Sequence, residues 1–217
     1  MKLTSSSHHN GLHINANANK GTACIIPILD KYKIKMFSMV HAHGKIMQVR
    51  FDLRYPDDGS IIPIRQHIYD FNYNLKRKLQ REKVAGGHLV DPQMLWTEER
   101  HTSLHPHYHY VLLVNGNAKE KYFPLLRDIV EPTWKKAIRT KQNGLVDYCD
   151  KHGPNGLLII RNSPHMQKQI NQCSHQASYI AKVGTKEHRG KGHWLMGGSR
   201  HVSGTIPQRI EHLDLFG

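Results

Sequence analysis

Residues 105–117 read HPHYHYVLLVNGN. Successive side chains of a β-strand point to opposite faces, so residues at i and i+2 share one. His107 and His109 therefore share a face that Val111 and Leu113 continue, while Leu112 and Val114 occupy the other. Pro106 stands where a missing N–H is tolerated, at the strand entry, which puts His105 in the preceding turn. Asn115-Gly116 closes the strand.

Working outward, MLWTEER (94–100) reads as a second strand. The link HTSL (101–104) is short, so the two strands are expected to form an antiparallel hairpin. KIMQVRFDLRYP (45–56) alternates as well, with Ile46, Gln48 and Arg50 on one face and Met47, Val49, Phe51 and Leu53 on the other. LLIIRN (157–162) supplies a fourth strand. Between them lie helical patterns. In 64–84, Ile64, Ile68, Phe71, Leu75 and Leu79 recur at steps of three and four. A helical stretch covers about 120–140 around Trp134 and Ile138. In 166–186, Ile170, Cys173, Ala177, Ile180 and Ala181 turn inward. Strands and helices in this order predict an α+β fold, a mainly antiparallel sheet with helices packed on one face. Residues 1–30 are polar and broken by Pro27, and are expected to form a flexible tail. One domain spans 31–190, and a basic tail spans 191–217.

Composition points to a partner. The 217 residues hold 31 Lys+Arg against 17 Asp+Glu, a formal charge of +14, with 18 histidines. Such an excess suits a polyanion, nucleic acid foremost. No run of about 18 apolar residues exists, which argues against a membrane helix. Met1–Ser5 lack an apolar signal core and the three cysteines are too scattered for a disulfide framework, as expected of a cytoplasmic protein.

His107 and His109 on one strand face can converge on a metal ion, and the neighbouring strand offers Glu98 or Glu99 as an oxygen ligand. A second H-x-H, His41 and His43, stands in a loop and reads as an ordinary exposed pair. Tyr179 and Lys182, three apart on the last helix, would share a face. A tyrosine hydroxyl can attack a phosphate that a cation or metal has polarised. Lys76, Lys135, Lys136 and Arg139, with Arg50 and Arg54, are the expected phosphate contacts. Tyr73 and Trp134 could stack on unpaired bases or belong to the core.

Together, VRFDLRYP, WTEERHTSLHPHYHYVLLVNGNA, the Trp134 helix and SYIAKVGTK resemble the inovirus-type rolling-circle replication initiators of the HUH endonuclease superfamily. The likeness runs over about residues 40–200 in order. It implies an RRM-like HUH domain and a DNA nicking and strand-transfer enzyme initiating rolling-circle replication. A divalent ion, Mg or Mn ahead of Zn or Fe, would sit on His107, His109 and Glu99, with Glu98 as the alternative. Tyr179 would form a 5′-phosphotyrosine link and leave a 3′-OH primer, and Lys182 would help position the phosphate. The partners implied are single-stranded or origin DNA and a host polymerase. A host helicase is implied too, because the chain has no Walker-type G-x-x-x-x-G-K. A transposase or relaxase with the same chemistry, or a non-catalytic nucleic-acid-binding module, are the competing readings.

Overall fold

A computed structural model describes residues 2–82, 86–99, 105–151, 153–183 and 196–199. Six antiparallel strands form the central sheet: β1 (Lys45–Leu53), β2 (Gln93–Glu99), β3 (His107–Asn115), β4 (Val146–Asp147), β5 (Leu157–Ile160) and β6 (Met196–Gly198). Their order is β6-β2-β3-β1-β4, and β5 also pairs with β1. The protein is thus α+β, with the predicted 94–117 hairpin in place: Gln93 faces Leu113 and Glu99 faces His107. The link 101–104 itself lies outside the described residues, as does the C-terminal tail apart from 196–199.

β3 is central, flanked by β2 and β1, and almost every residue in it is buried. That is why its sequence is a continuous apolar run after the histidines, with both faces covered. β1 is paired on its free edge in two pieces. Lys45–Gln48 meet β5, and Asp52–Leu53 meet β4. The side chain of Asn155 fills the gap between them. Its Oδ1 accepts from Arg50 N at 2.9 Å and its Nδ2 donates to Arg50 O at 2.6 Å, completing the ladder at Arg50. An unpaired buried backbone group would otherwise be costly there.

The helices are α1 (Ile26–Ala42), α2 (Arg65–Arg81), α3 (Glu131–Ala137) and α4 (Met166–Ala177). They cover both faces of the sheet, not one as expected. Met47, Val49, Phe51 and Leu53 pack with Phe71 and Leu75 of α2 and Trp134 of α3. Ile46, Leu95, Val111 and Leu113 pack with Met36 of α1 and Ile170 and Cys173 of α4. Both strand faces are apolar, so both need a cover. Trp134 is fully buried, its Nε1 donating to Arg54 O at 2.8 Å, so it is a core residue and not a base-stacking one.

α1 escaped the sequence reading because of Pro27. The proline breaks a strand pattern, but it stands in the first turn of α1, where its missing N–H has no helical partner to lose. The polar stretch before it is not a loose tail either. Leu12, Ile14 and Ala16 are buried in the core shared by α1 and α4. Short strands pair Leu3–Thr4 with Cys24–Ile25 and His8–His9 with Leu12–His13. Three apolar side chains at i, i+2 and i+4 amid Asn and His were outweighed by the polar composition around them. Ile14 is 2 % exposed. Ile14→Ala is therefore expected to cost about 2–5 kcal/mol, read as a lowered urea midpoint, where a tail residue would cost nothing.

Candidate active site

The face of the sheet under α1 and α4 ends in a polar cluster. Register fixes its members. His109 stands between Thr97 of β2 and Asp52 of β1, and Glu99 stands opposite His107. All are on the face of Val111, as the alternation of β3 required.

His109 is enclosed by carboxylates. Its Nδ1 lies 2.8 Å from Asp52 Oδ1, and its Nε2 is in close contact with Glu99 Oε2. The Asp52 contact is close but not aligned as a hydrogen bond, and both of its atoms are buried without a hydrogen-bond partner among the described residues. Burial alone would lower the pKa of His109, but the two carboxylates outweigh it and raise it. Asp52 responds reciprocally. Burial would raise its pKa, while His109 and Arg50 hold it below the usual carboxylate value. His107 is only partly enclosed. Burial, then Arg54 and His109, lower its pKa and favour the neutral imidazole that a metal needs.

Strand parity separates the two glutamates. Glu99 faces His107 and contacts His109. Glu98 pairs with Tyr108 and acts on Tyr55, on the opposite face. His105 also lies toward that face, its ring 6.1 Å from Tyr55 and edge-on to it. His41 and His43 lie apart from the cluster, His43 Nε2 being 2.8 Å from Asp91 Oδ2.

Tyr179 arrives from α4. The helix ends at Ala177 and tightens into a 3-10 turn, Ser178–Ala181. Lys182 is no longer helical; it is extended and forms a β-bridge with Cys24. The expected helical i, i+3 pair is thus a turn residue and the residue that leaves it. The turn is pinned from three sides. Thr97 Oγ1 donates to Ile180 O at 3.1 Å, Asn15 N donates to Ser178 Oγ at 2.7 Å, and Val183 N donates to Ala23 O at 3.0 Å. Two of the three anchors come from the N-terminal stretch.

Held so, the Tyr179 ring meets the histidine edge-to-face, 5.7 Å between centroids. The Arg50 guanidinium lies over it, with Cζ 3.8 Å from the ring centre, and Lys182 Nζ is 5.0 Å away. Arg50 Nη2 is also 3.6 Å from Asp52 Oδ2. Tyr179, Arg50, Asp52 and Arg54 line one open cleft of about 1040 Å³.

The other cations expected to contact phosphate are elsewhere. Lys76 on α2 and Lys135 and Lys136 on α3, with Arg139 just beyond, belong to the elements covering the opposite face of the sheet. Lys135 is engaged by Asn143 and Glu131. The face on which a helix docks cannot be read from the helix's own period. Asp52, Thr97 and Asn155 were missed. For Asp52 the signal was available: the alternation puts it on the polar face of Gln48 and Arg50, opposite the apolar Met47, Val49, Phe51 and Leu53.

Imidazole and carboxylate are donor types that divalent cations accept, and here His109 Nδ1 and Asp52 Oδ1 face each other at 2.8 Å. Among the described residues no group of three or more His, Cys, Asp or Glu side chains is already drawn together as metal ligands. No described helix is long and apolar enough to cross a membrane.

Fold and site define an α+β protein whose sheet carries a His-carboxylate cluster beside a tyrosine in a basic cleft. The chain belongs to the YagK/YfjJ C-terminal domain family, whose model matches residues 5–194. No curated protein and no solved structure matches it. This family is a different one from the inovirus-type initiators, so that resemblance is overturned. It rested on short motifs in a common order, and the elements bearing them are strands and helices that many α+β proteins share.

Proposed function

We propose that this protein nicks and transfers DNA strands through Tyr179 in a metal-dependent reaction. The observation that carries the reading is the juxtaposition of Tyr179 with His109 and Arg50 at the head of a cleft bearing further basic side chains. His107, His109 and Glu99 would hold Mg or Mn, which would supply Lewis acidity at the scissile phosphate. Asp52 lies 2.8 Å from His109 Nδ1, on the side where a carboxylate behind a ligating imidazole would stand. The Arg50 guanidinium, planar and permanently charged, suits the phosphate oxygens.

In the step itself, Tyr179 Oη bonds to phosphorus and the P–O3′ bond breaks. The phenol gives up its proton and the departing 3′ oxygen gains one. The 5′-phosphate stays on the tyrosine, and a free 3′-OH is left. Attack by a 3′-OH on that link reverses the reaction without ATP. His175 lines the same cleft, and burial, His13 and Lys182 lower its pKa and favour the neutral imidazole. Initiation of rolling-circle replication, with host helicase and polymerase, is one process such a nick serves; transposition or mobilisation would use the same step.

A second reading is a DNA-binding module without chemistry, which the basic side chains lining the cleft would serve equally. A denaturing gel of the protein with a labelled single-stranded oligonucleotide pool separates the two. Nicking yields a covalent adduct with Mg or Mn that EDTA prevents. Absence of any adduct with either metal rules the enzyme reading out.

A further inference from the structure

The cleft beside Tyr179 is larger than its chemistry needs. At about 1040 Å³ it lies at the upper end of the range for small-molecule pockets, roughly 300–1,000 Å³. One wall is the solvent-facing side of α4. Four of its cleft-lining residues, Gln167, Lys168, Asn171 and Gln172, fall at i, i+1, i+4 and i+5, and so form one patch. Asn171 is half-buried and the other three are exposed. The patch ends about 10–11 Å along the helix axis from Tyr179.

Its chemistry is unlike that of the other amphipathic helix. α2 exposes Arg65, Lys78 and Arg81 among Gln and Tyr side chains, and such cations attract phosphate without choosing among sequences. α4 presents amides with a single lysine. An amide carries no charge, but it offers a donor and an acceptor together, the pattern that matches a base edge. One neighbouring amide is already spent on the fold. Gln176 accepts from Gln48 Nε2 at 3.0 Å and donates to Pro154 O at 3.0 Å. Gln167 Nε2 donates to Asn171 Oδ1 at 3.1 Å, a bond that leaves Asn171 Nδ2 unused, and Asn171 lines the cleft. Gln172, exposed beside it, shares the wall. Arg54, Lys151 and Lys168 supply the charge to hold a backbone along the same cleft.

We infer that α4 is a sequence-reading helix: Asn171 and Gln172 select bases of a single strand of DNA whose backbone is led past Lys168 to Tyr179. The inference rests on the proposed nicking reaction for its direction, but its test needs no nicking. A randomised single-stranded DNA pool is selected for binding to Tyr179→Phe protein, which cannot become trapped on DNA, and the retained sequences are read. One sequence is expected to be enriched and to bind at least about tenfold more tightly than its scrambled version. Asn171→Ala/Gln172→Ala in the same background is expected to bring the two oligonucleotides within about twofold, with affinity for the scrambled one unchanged and the melting temperature retained. Lys168→Ala should weaken both equally and flatten the salt dependence by about one unit. No enrichment in the pool, or a preference that survives the double variant, overturns the inference. An adduct-negative protein that still shows the preference defeats only the nicking reading.

Discussion

Tyr179→Phe is expected to abolish the covalent protein–DNA product, a loss of more than about 10³-fold in adduct yield, because the nucleophilic oxygen is gone. The substitution keeps the ring. The Arg50 contact at 3.8 Å and the edge-to-face contact with His109 at 5.7 Å are made by the ring, so the turn Ser178–Ala181 should stay where Thr97 and Asn15 hold it. DNA affinity should then change by no more than about twofold, since loss of one hydroxyl in a partly exposed site is worth around 0.5 kcal/mol. The check is a denaturing gel for the adduct beside anisotropy for binding. An adduct that persists in the variant would move the nucleophile elsewhere. Loss of binding together with the adduct would make Tyr179 a DNA contact and not the attacking group.

Much of this site could be read from the residues because strand alternation is an exact period. His107 and His109 share a face with Val111 whatever the rest of the fold does, and the register of β2 on β3 then decides between Glu98 and Glu99. The helices were legible only as helices. The apolar stripes of α2 and α4 establish that each packs, but not on which side of the sheet. That is how Lys76 and Lys135 came to be expected beside a site they stand behind. The N-terminal contribution was hidden for a different reason. Asn15 and Ala23 hold the Tyr179 turn through their own backbone N and O, and a backbone group leaves no mark on the type of the residue that carries it. The family, finally, was not in the motifs. An H-x-H on a strand and a Y-x-x-K near a helix end are a few residues each, whereas the family match runs over 5–194.

The paired variants Glu99→Gln and Glu98→Gln test the metal assignment with the fold as their own control. The two residues are adjacent on β2, so a general disturbance of the strand would affect both. Only Glu99 shares the face of His107 and His109. Glu99→Gln is expected to lower the apparent affinity for Mn by about 10–100-fold or more, seen as a rightward shift in the metal dependence of adduct formation, since loss of a group merely supporting a ligand already costs that much. Glu98→Gln should leave that dependence in place. His109→Ala should go further and also reduce stability. It removes the imidazole between Asp52 and Glu99, so both buried carboxylates lose a charged neighbour although Arg50 stays near Asp52, and breaking a buried pair costs about 3–5 kcal/mol. Its urea midpoint should fall, and added Mn should restore part of it if the carboxylates still bind the ion. Equal metal curves for the two glutamine variants would take Glu99 out of the ligand set and leave the cluster a structural ion-pair network under Tyr179.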